Sequence, residues 1–401
     1  MKFSHSGDLL ILNALVFDGT SPNLTETSIR IVNGSIVEIG GSSTGDKTFD
    51  ARGRFVMPGL IDAHFHAYGI SLNGLYNDTA PLSYVALTGA HRLEAALARG
   101  FTTVRDVAGG DNGLAAAVRQ QLISSPRYYY TGPALSQTGG HGDPRTTDML
   151  IDFACGHSND IVDGVDGLRR AVRERFRLGA HAVKIMASGG VISPVDPIRV
   201  PQYSPEEIRA VVDEATRRGS YVAAHAYSSE AIQHAVVNGV RSIEHGNLMN
   251  EETAVLMSAH SAYLVPTLIT YDAMSRRGKD MNMTPVALEK NSSVLDSGKT
   301  AIERAAAAGV PVGYGSDLLG DLEVDQLLGI RLQMEVLGTL ETLRSVTSVN
   351  ASLLQEETLG RIAVGAAGDI LILEGNPFEN PHCLWDIDVA RTVVQAGRIV
   401  A

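Results

Sequence analysis

The 401-residue chain has little cysteine: Cys155 and Cys383 are its only two, with no CxxC pair. No disulfide framework or zinc-finger spacing is therefore implied. It also has no uninterrupted apolar run approaching the roughly 20 residues that span a bilayer, and its first eight residues are too polar for a signal peptide. It lacks an excess of positive charge. The formal net charge of −12 argues against nucleic acid or an anionic membrane as a partner. None of its glycine-rich stretches is a phosphate loop, since none matches a Walker A or Rossmann fingerprint in a strand-turn-helix context. With 44% hydrophobic and 19% charged residues, the remaining class is a globular protein able to bury a large core. A cytoplasmic enzyme is the expectation.

What is present centres on residues 57–66, Met-Pro-Gly-Leu-Ile-Asp-Ala-His-Phe-His. Pro58 and Gly59 mark a bend, and residues 60–66 read as a buried strand. His64 and His66 then lie two apart with both imidazoles on one strand face. Two neutral imidazoles at a strand end are a ready pair of metal ligands. Taken alone, the pair is as readily a chance feature of a polar strand face.

Residues 9–17, 28–32, 35–40 and 48–56 read as short strands, with Asn33-Gly34 as a two-residue hairpin turn. Residues 369–374 and 389–395 read alike, which predicts one small discontinuous β domain assembled from residues 1–57 and 363–401. Between them, residues 58–362 alternate strands and helices. Helices are predicted over 82–99, 112–122, 164–178, 230–237, 251–260 and 287–308. Another opens at Ser204-Pro205-Glu206-Glu207 with a capping box and an early proline. Strands are predicted over 60–66, 101–107, 127–131, 182–187, 221–226, 242–245, 262–266 and 311–315. Eight βα repeats over about 300 residues fit a (β/α)8 TIM barrel, whose chemistry sits at the C-terminal strand ends.

Those strand ends carry a constellation. The first strand has His64 and His66, the fourth Lys184, the fifth His225, the sixth His245 and the eighth Asp317. Four histidines and an aspartate on four strands are enough for a binuclear divalent site. Lys184 is the odd member, because a cationic amine is a poor neighbour for two dications. Carboxylation by carbon dioxide would make it an anionic carbamate able to bridge both ions. The competing account is a buried lysine paired with an acid such as Asp106. Arg105-Asp106, ending the second strand, is expected to brace the site through an ion pair.

This arrangement resembles the amidohydrolase superfamily, in its binuclear branch with a carboxylated lysine, over nearly the whole chain. The terminal strands look like that superfamily's β-sandwich. The resemblance implies that His64, His66, Lys184 and Asp317 hold the more buried metal and Lys184, His225 and His245 the other. Zinc is the first choice. It further implies attack by a bridging hydroxide, with Asp317 carrying the proton to the leaving group, in keeping with metal-lowered water pKa and general base-acid chemistry.

Narrower motifs resemble the prolidase-like and Xaa-Arg or Xaa-Lys carboxypeptidase group, some relatives of which hydrolyse amide-linked toxins such as ochratoxin A. They are Ser-Gln-Thr-Gly-Gly-His-Gly-Asp (136–143), Val-Lys-Ile-Met-Ala-Ser-Gly-Gly-Val (183–191), Ala-His-Ala-Tyr (224–227), Ser-Ile-Glu-His-Gly-Asn-Leu (242–248) and Gly-Ser-Asp-Leu-Leu-Gly (315–320).

The implied activity is cleavage of dipeptides or N-acyl amino acids, small molecules with a free carboxylate, by a homo-oligomer. A lactonase or phosphotriesterase, or a deaminase or imidazolonepropionase-like ring hydrolase, is the alternative on the same barrel. A free α-carboxylate in a dry pocket needs donors. His141, after Gly139-Gly140, and Tyr227 are the candidates, with Tyr271 as a pocket wall. Asp321 and Glu323 would either favour a cationic side chain or form a solvated helix start. His91, His157, His181, His234, His260 and His382 are assigned no chemistry.

Overall fold

The computed structural model describes residues 8–41, 45–193 and 195–401; the polar first seven residues lie outside the described residues. The chain opens with β1 (Asp8–Val16), β2 (Thr25–Val32), β3 (Ser35–Ile39), β4 (Lys47–Asp50) and β5 (Phe55–Pro58). The hairpin predicted at Asn33-Gly34 joins β2 to β3, with both residues at positive φ, 52° and 83°.

The middle of the chain supplies β6 (Leu60–Phe65), β7 (Phe101–Asp106), β8 (Arg127–Tyr130), β9 (Ala134–Ser136), β10 (Asn159–Ile161) and β11 (Val183–Met186). It continues with β12 (Val222–Ser228), β13 (Ser242–Leu248) and β14 (Tyr263–Val265). The C-terminal part adds β15 (Ile370–Leu373), β16 (Arg391–Gln395) and β17 (Arg398–Ile399).

Strands from both ends of the chain form one eight-stranded sheet, in the order β17-β16-β15-β5-β1-β2-β3 with β4 on β1. Its join is β5 against β15, antiparallel, Met57 opposite Leu371. The middle strands form two parallel sheets, β6-β7-β8 and β10-β9-β11-β12-β13-β14. Their central strands are buried, all seven residues of β12 and all six of β7, as expected when helices cover both faces of a parallel sheet. The capping box at Ser204 and Glu207 opens the helix Pro205–Thr216 as predicted. Among the described residues, no helix is long and apolar enough to cross a membrane.

Several features differ from the sequence reading. The strand predicted over 48–56 is split into β4 and β5, and the helices Leu268–Arg277 and Gln326–Arg344 were not predicted. The short strands β9 and β10 were not predicted, being only three residues each. The strand predicted over 311–315 forms no regular ladder; it has a single bridge, Leu264 to Val312. The segment is nevertheless bonded on both sides. Leu264 donates to Pro311 and Gly313 to Leu264, at 3.0 and 2.8 Å, and Ala63 donates to Tyr314 at 2.9 Å.

Side chains replace the missing ladder bonds. Asn350 accepts from the Tyr314 amide and donates to the carbonyls of Tyr314 and Ile61, while Asp62 accepts from the Ser316 amide. A backbone satisfied this way has no need of a regular strand partner.

Candidate metal centre

The two sheets bring all six expected ligands and both expected substrate residues onto one cavity of about 620 Å³. His64 is the next-to-last residue of β6 and His66 follows the strand, their ring centroids 5.1 Å apart. His245 lies 5.0 Å from His64 and 4.5 Å from His225 by ring centroid. Donor atoms of His64, His245 and Asp317 lie within 4.8 Å of one another. Asp317 Oδ1 is 2.8 Å from His66 Nε2 and 3.4 Å from His64 Nε2.

The backbone is bent to achieve this. His245 and Asp317 hold φ of 78° and 52°, left-handed values that non-glycine residues adopt at a cost and that concentrate at functional sites. Gly315 lets the segment close on β6, since a Cβ there would sit 2.3 Å from that of His64.

The electrostatics suit a cation site. Burial, together with neighbouring positive groups, holds His225 and His245 well below the usual imidazole pKa, so both present neutral lone pairs. Lys184 is 2% exposed, and among the described residues its amine meets no hydrogen-bond or ion-pair partner. Burial pushes it down to about 8, against the pull of Glu244 and Asp317. An unpaired buried amine on the same cavity as four imidazoles and a carboxylate is costly as a cation. The triad of His64, His245 and Asp317 fits a divalent ion.

Asp106 is not the partner of Lys184, nor of Arg105. It accepts from the Ala67 amide and the Tyr128 hydroxyl. The bracing ion pair runs instead from Arg105 Nη2 to Glu244 Oε1, at 2.7 Å, and Glu244 Oε2 lies 2.7 Å from His64 Nδ1. Glu244 thereby fixes His64 with Nε2 free for a metal. Sequence reasoning quoted Glu244 inside the Ile-Glu-His run without giving it a role. Its signal was an acid two residues from Ser242 on a buried strand, where charge demands a partner. Thr267, 2.8 Å from His245 Nδ1, was missed for want of any motif.

On the substrate side, His141 stacks on His225 at 4.1 Å and Tyr227 packs edge-on against it at 4.9 Å. Tyr227 shares a 3.0 Å hydrogen bond with Tyr271, whose hydroxyl accepts from Thr267. Burial raises the pKa of both phenols, so they stay protonated. Leu72, Met274, Met281 and Met283 give the cavity an apolar wall. Asp321 and Glu323 do not line it. They belong to a short 3-10 turn where Glu323 faces Arg92 at 3.6 Å, which is the helix-start alternative. His157, His234 and His260 bond backbone carbonyls, away from the cavity.

Known proteins are similar to this chain. Residues 55–400 match the amidohydrolase family. A prolidase solved in complex with N-methylphosphonate-L-proline is 44% identical, with a TM-score of 0.95 over 98% of this chain and 99% of that one. Ochratoxinase from Aspergillus niger is 31% identical over 369 residues, covering 86% of this chain and 75% of its own length. A Xaa-Pro dipeptidase solved with methionine in its active site is 29% identical, with a TM-score of 0.88 over 98% and 99% of the two chains.

Proposed function

Because the chain belongs to the amidohydrolase family and is a hydrolase of carbon–nitrogen bonds, we propose that it cleaves dipeptides or N-acyl amino acids at the amide bond. The observation that carries this reading is the buried, unpaired amine of Lys184 among His64, His66, His225, His245 and Asp317. His64, His66, Lys184 and Asp317 would hold one divalent ion, and Lys184 (as its carbamate), His225 and His245 a second, zinc being the first choice for imidazole and carboxylate ligands. When bound, two such ions polarise a carbonyl and make water a nucleophile at neutral pH.

The chain's own residues do the rest. Asp317 takes the proton of the attacking water and returns it to the leaving nitrogen, acting as base and then acid. Glu244 keeps His64 in one tautomer. His141 and Tyr227 donate to the free carboxylate of the substrate, and the methionine-rich wall receives an apolar or cyclic leaving residue. The relatives' own substrates, a Xaa-Pro dipeptide among them, agree with such a residue. The same reading includes closure of the two parallel sheets into a (β/α)8 barrel. It is supported by the bonding of residues 311–317 to both β6 and β14, with the terminal β domain divided from the barrel after residues 57 and 362.

The test is turnover of a panel of N-acyl amino acids and Xaa-Yaa dipeptides by zinc-reconstituted protein in bicarbonate, with Yaa varied to include proline. Release of apolar or cyclic Yaa in preference to charged Yaa is expected. No release from any member, with metal bound, would overturn the amide reading and point to lactones and phosphotriesters.

A further inference from the structure

The loop after β11 lies on the substrate side of the cavity, and one lysine gathers it. Lys290, on the helix Pro285–Ala307, donates to the carbonyls of Gly190, Ser193 and Asp196 at 3.1, 3.0 and 2.9 Å. Three carbonyls use all three ammonium protons. The buried Asp196 carboxylate accepts from the Gly190 amide and from Gln202 Nε2, and Gln202 Oε1 accepts from the His141 amide. The His141 ring rests on Gly190, where a Cβ would sit 2.0 Å from His141 Cε1. Loop and ring therefore move together.

Ser193 makes the coupling chemical. Its Oγ lies 2.9 Å from His141 Nδ1 and 3.1 Å from the Gly190 carbonyl, and it has one proton to give. The Gly190 carbonyl, with two lone pairs, receives Lys290 and Ser193 together, so lysine, loop and serine jointly fix the place of the His141 ring. Without Lys290 the loop loses three hydrogen bonds, and the ring loses the firm surface on which it rests.

We propose that Lys290 is a positioning residue for substrate recognition, holding the β11 loop so that Ser193 and Gly190 fix the His141 ring at the cavity. The proposal rests on the reading of His141 as a carboxylate-binding residue.

The test uses full-length, zinc-loaded protein. Lys290→Met is compared with wild type in two ways: steady-state kinetics on a cleaved dipeptide, and the 15N resonances of His141, identified by their loss in His141→Asn. The expected result is a KM raised about tenfold with kcat within about twofold, the size of one hydrogen bond to a charged group, and shifted His141 ring resonances. Lys290→Arg, which keeps donors, is expected to recover part of the KM. Ser193→Ala, which also serves if Lys290→Met fails to fold, is expected to reproduce the KM rise. A wild-type KM in either variant, or unchanged His141 resonances in Lys290→Met, would overturn the proposal. If wild type cleaves no amide, the proposed function falls, while the resonance comparison still decides the role of Lys290.

Discussion

The candidate site residues marked by type and spacing were legible in the sequence. His64, His66, Lys184, His225, His245 and Asp317 all line one cavity, five of them on or next to a parallel strand and Asp317 after the segment bonded to β6 and β14. Those that act by supporting others were not. Glu244, Thr267 and Lys290 are ordinary residues until the fold brings them to His64, His245 and the β11 loop.

Two predictions belong to this scale. In Lys184→Ala, metal content and turnover fall together; two metals retained per chain, measured by elemental analysis, would exclude a bridging role. Glu244→Gln keeps the shape but leaves Arg105 charged and unpaired in the interior. Metal affinity should drop ten- to a hundredfold, read by chelator competition, and stability by about 3–5 kcal/mol. Wild-type affinity in that variant would remove Glu244 from the site.

At the level of elements, the sequence marked most helices and the long parallel strands, where periodicity or apolar runs persist. It missed β9 and β10, too short for any pattern. It made a strand of 311–315, where Asn350 and Asp62 side chains take bonds that a regular ladder would make.

Adjacent helices are also joined by charge. Arg169 and Arg173, on Val165–Arg177, hold Glu214 on Pro205–Thr216. Arg173 first, with Arg169 and against burial, pulls the Glu214 pKa down to about 2 from 4.5. The unfolded chain binds the proton more readily, so this contribution is complete above pH 4.5 and is lost as pH falls from there toward 2. Arg173→Ala should therefore lose stability at pH 7 and lose less of it at pH 3. Equal losses at both pH values, by denaturant titration, would show that the pair does not act through that carboxylate.

For the whole molecule, β5 belongs to the sheet of the termini and β6 to a parallel sheet that carries His64, with Gly59 alone between them. Sequence reasoning expected the terminal strands to assemble together, and they share one sheet. It did not place Met57 opposite Leu371, because a register between distant segments leaves no local trace. With so short a junction, the two parts should unfold together: calorimetry should give one transition, with metal release at the same temperature. Two separated transitions would show a terminal sheet that folds apart from the site.

The β5–β15 pairing also sets a timetable. A ribosome has made His64 and His66 long before it reaches Leu371, and until then β5 lacks its antiparallel neighbour. His64 and His66 then stand just beyond a strand held by β1 alone. The candidate ligand set is complete only once Asp317 has emerged, and β5 is flanked on both sides only once Leu371 has, so the site and its support are finished late in synthesis.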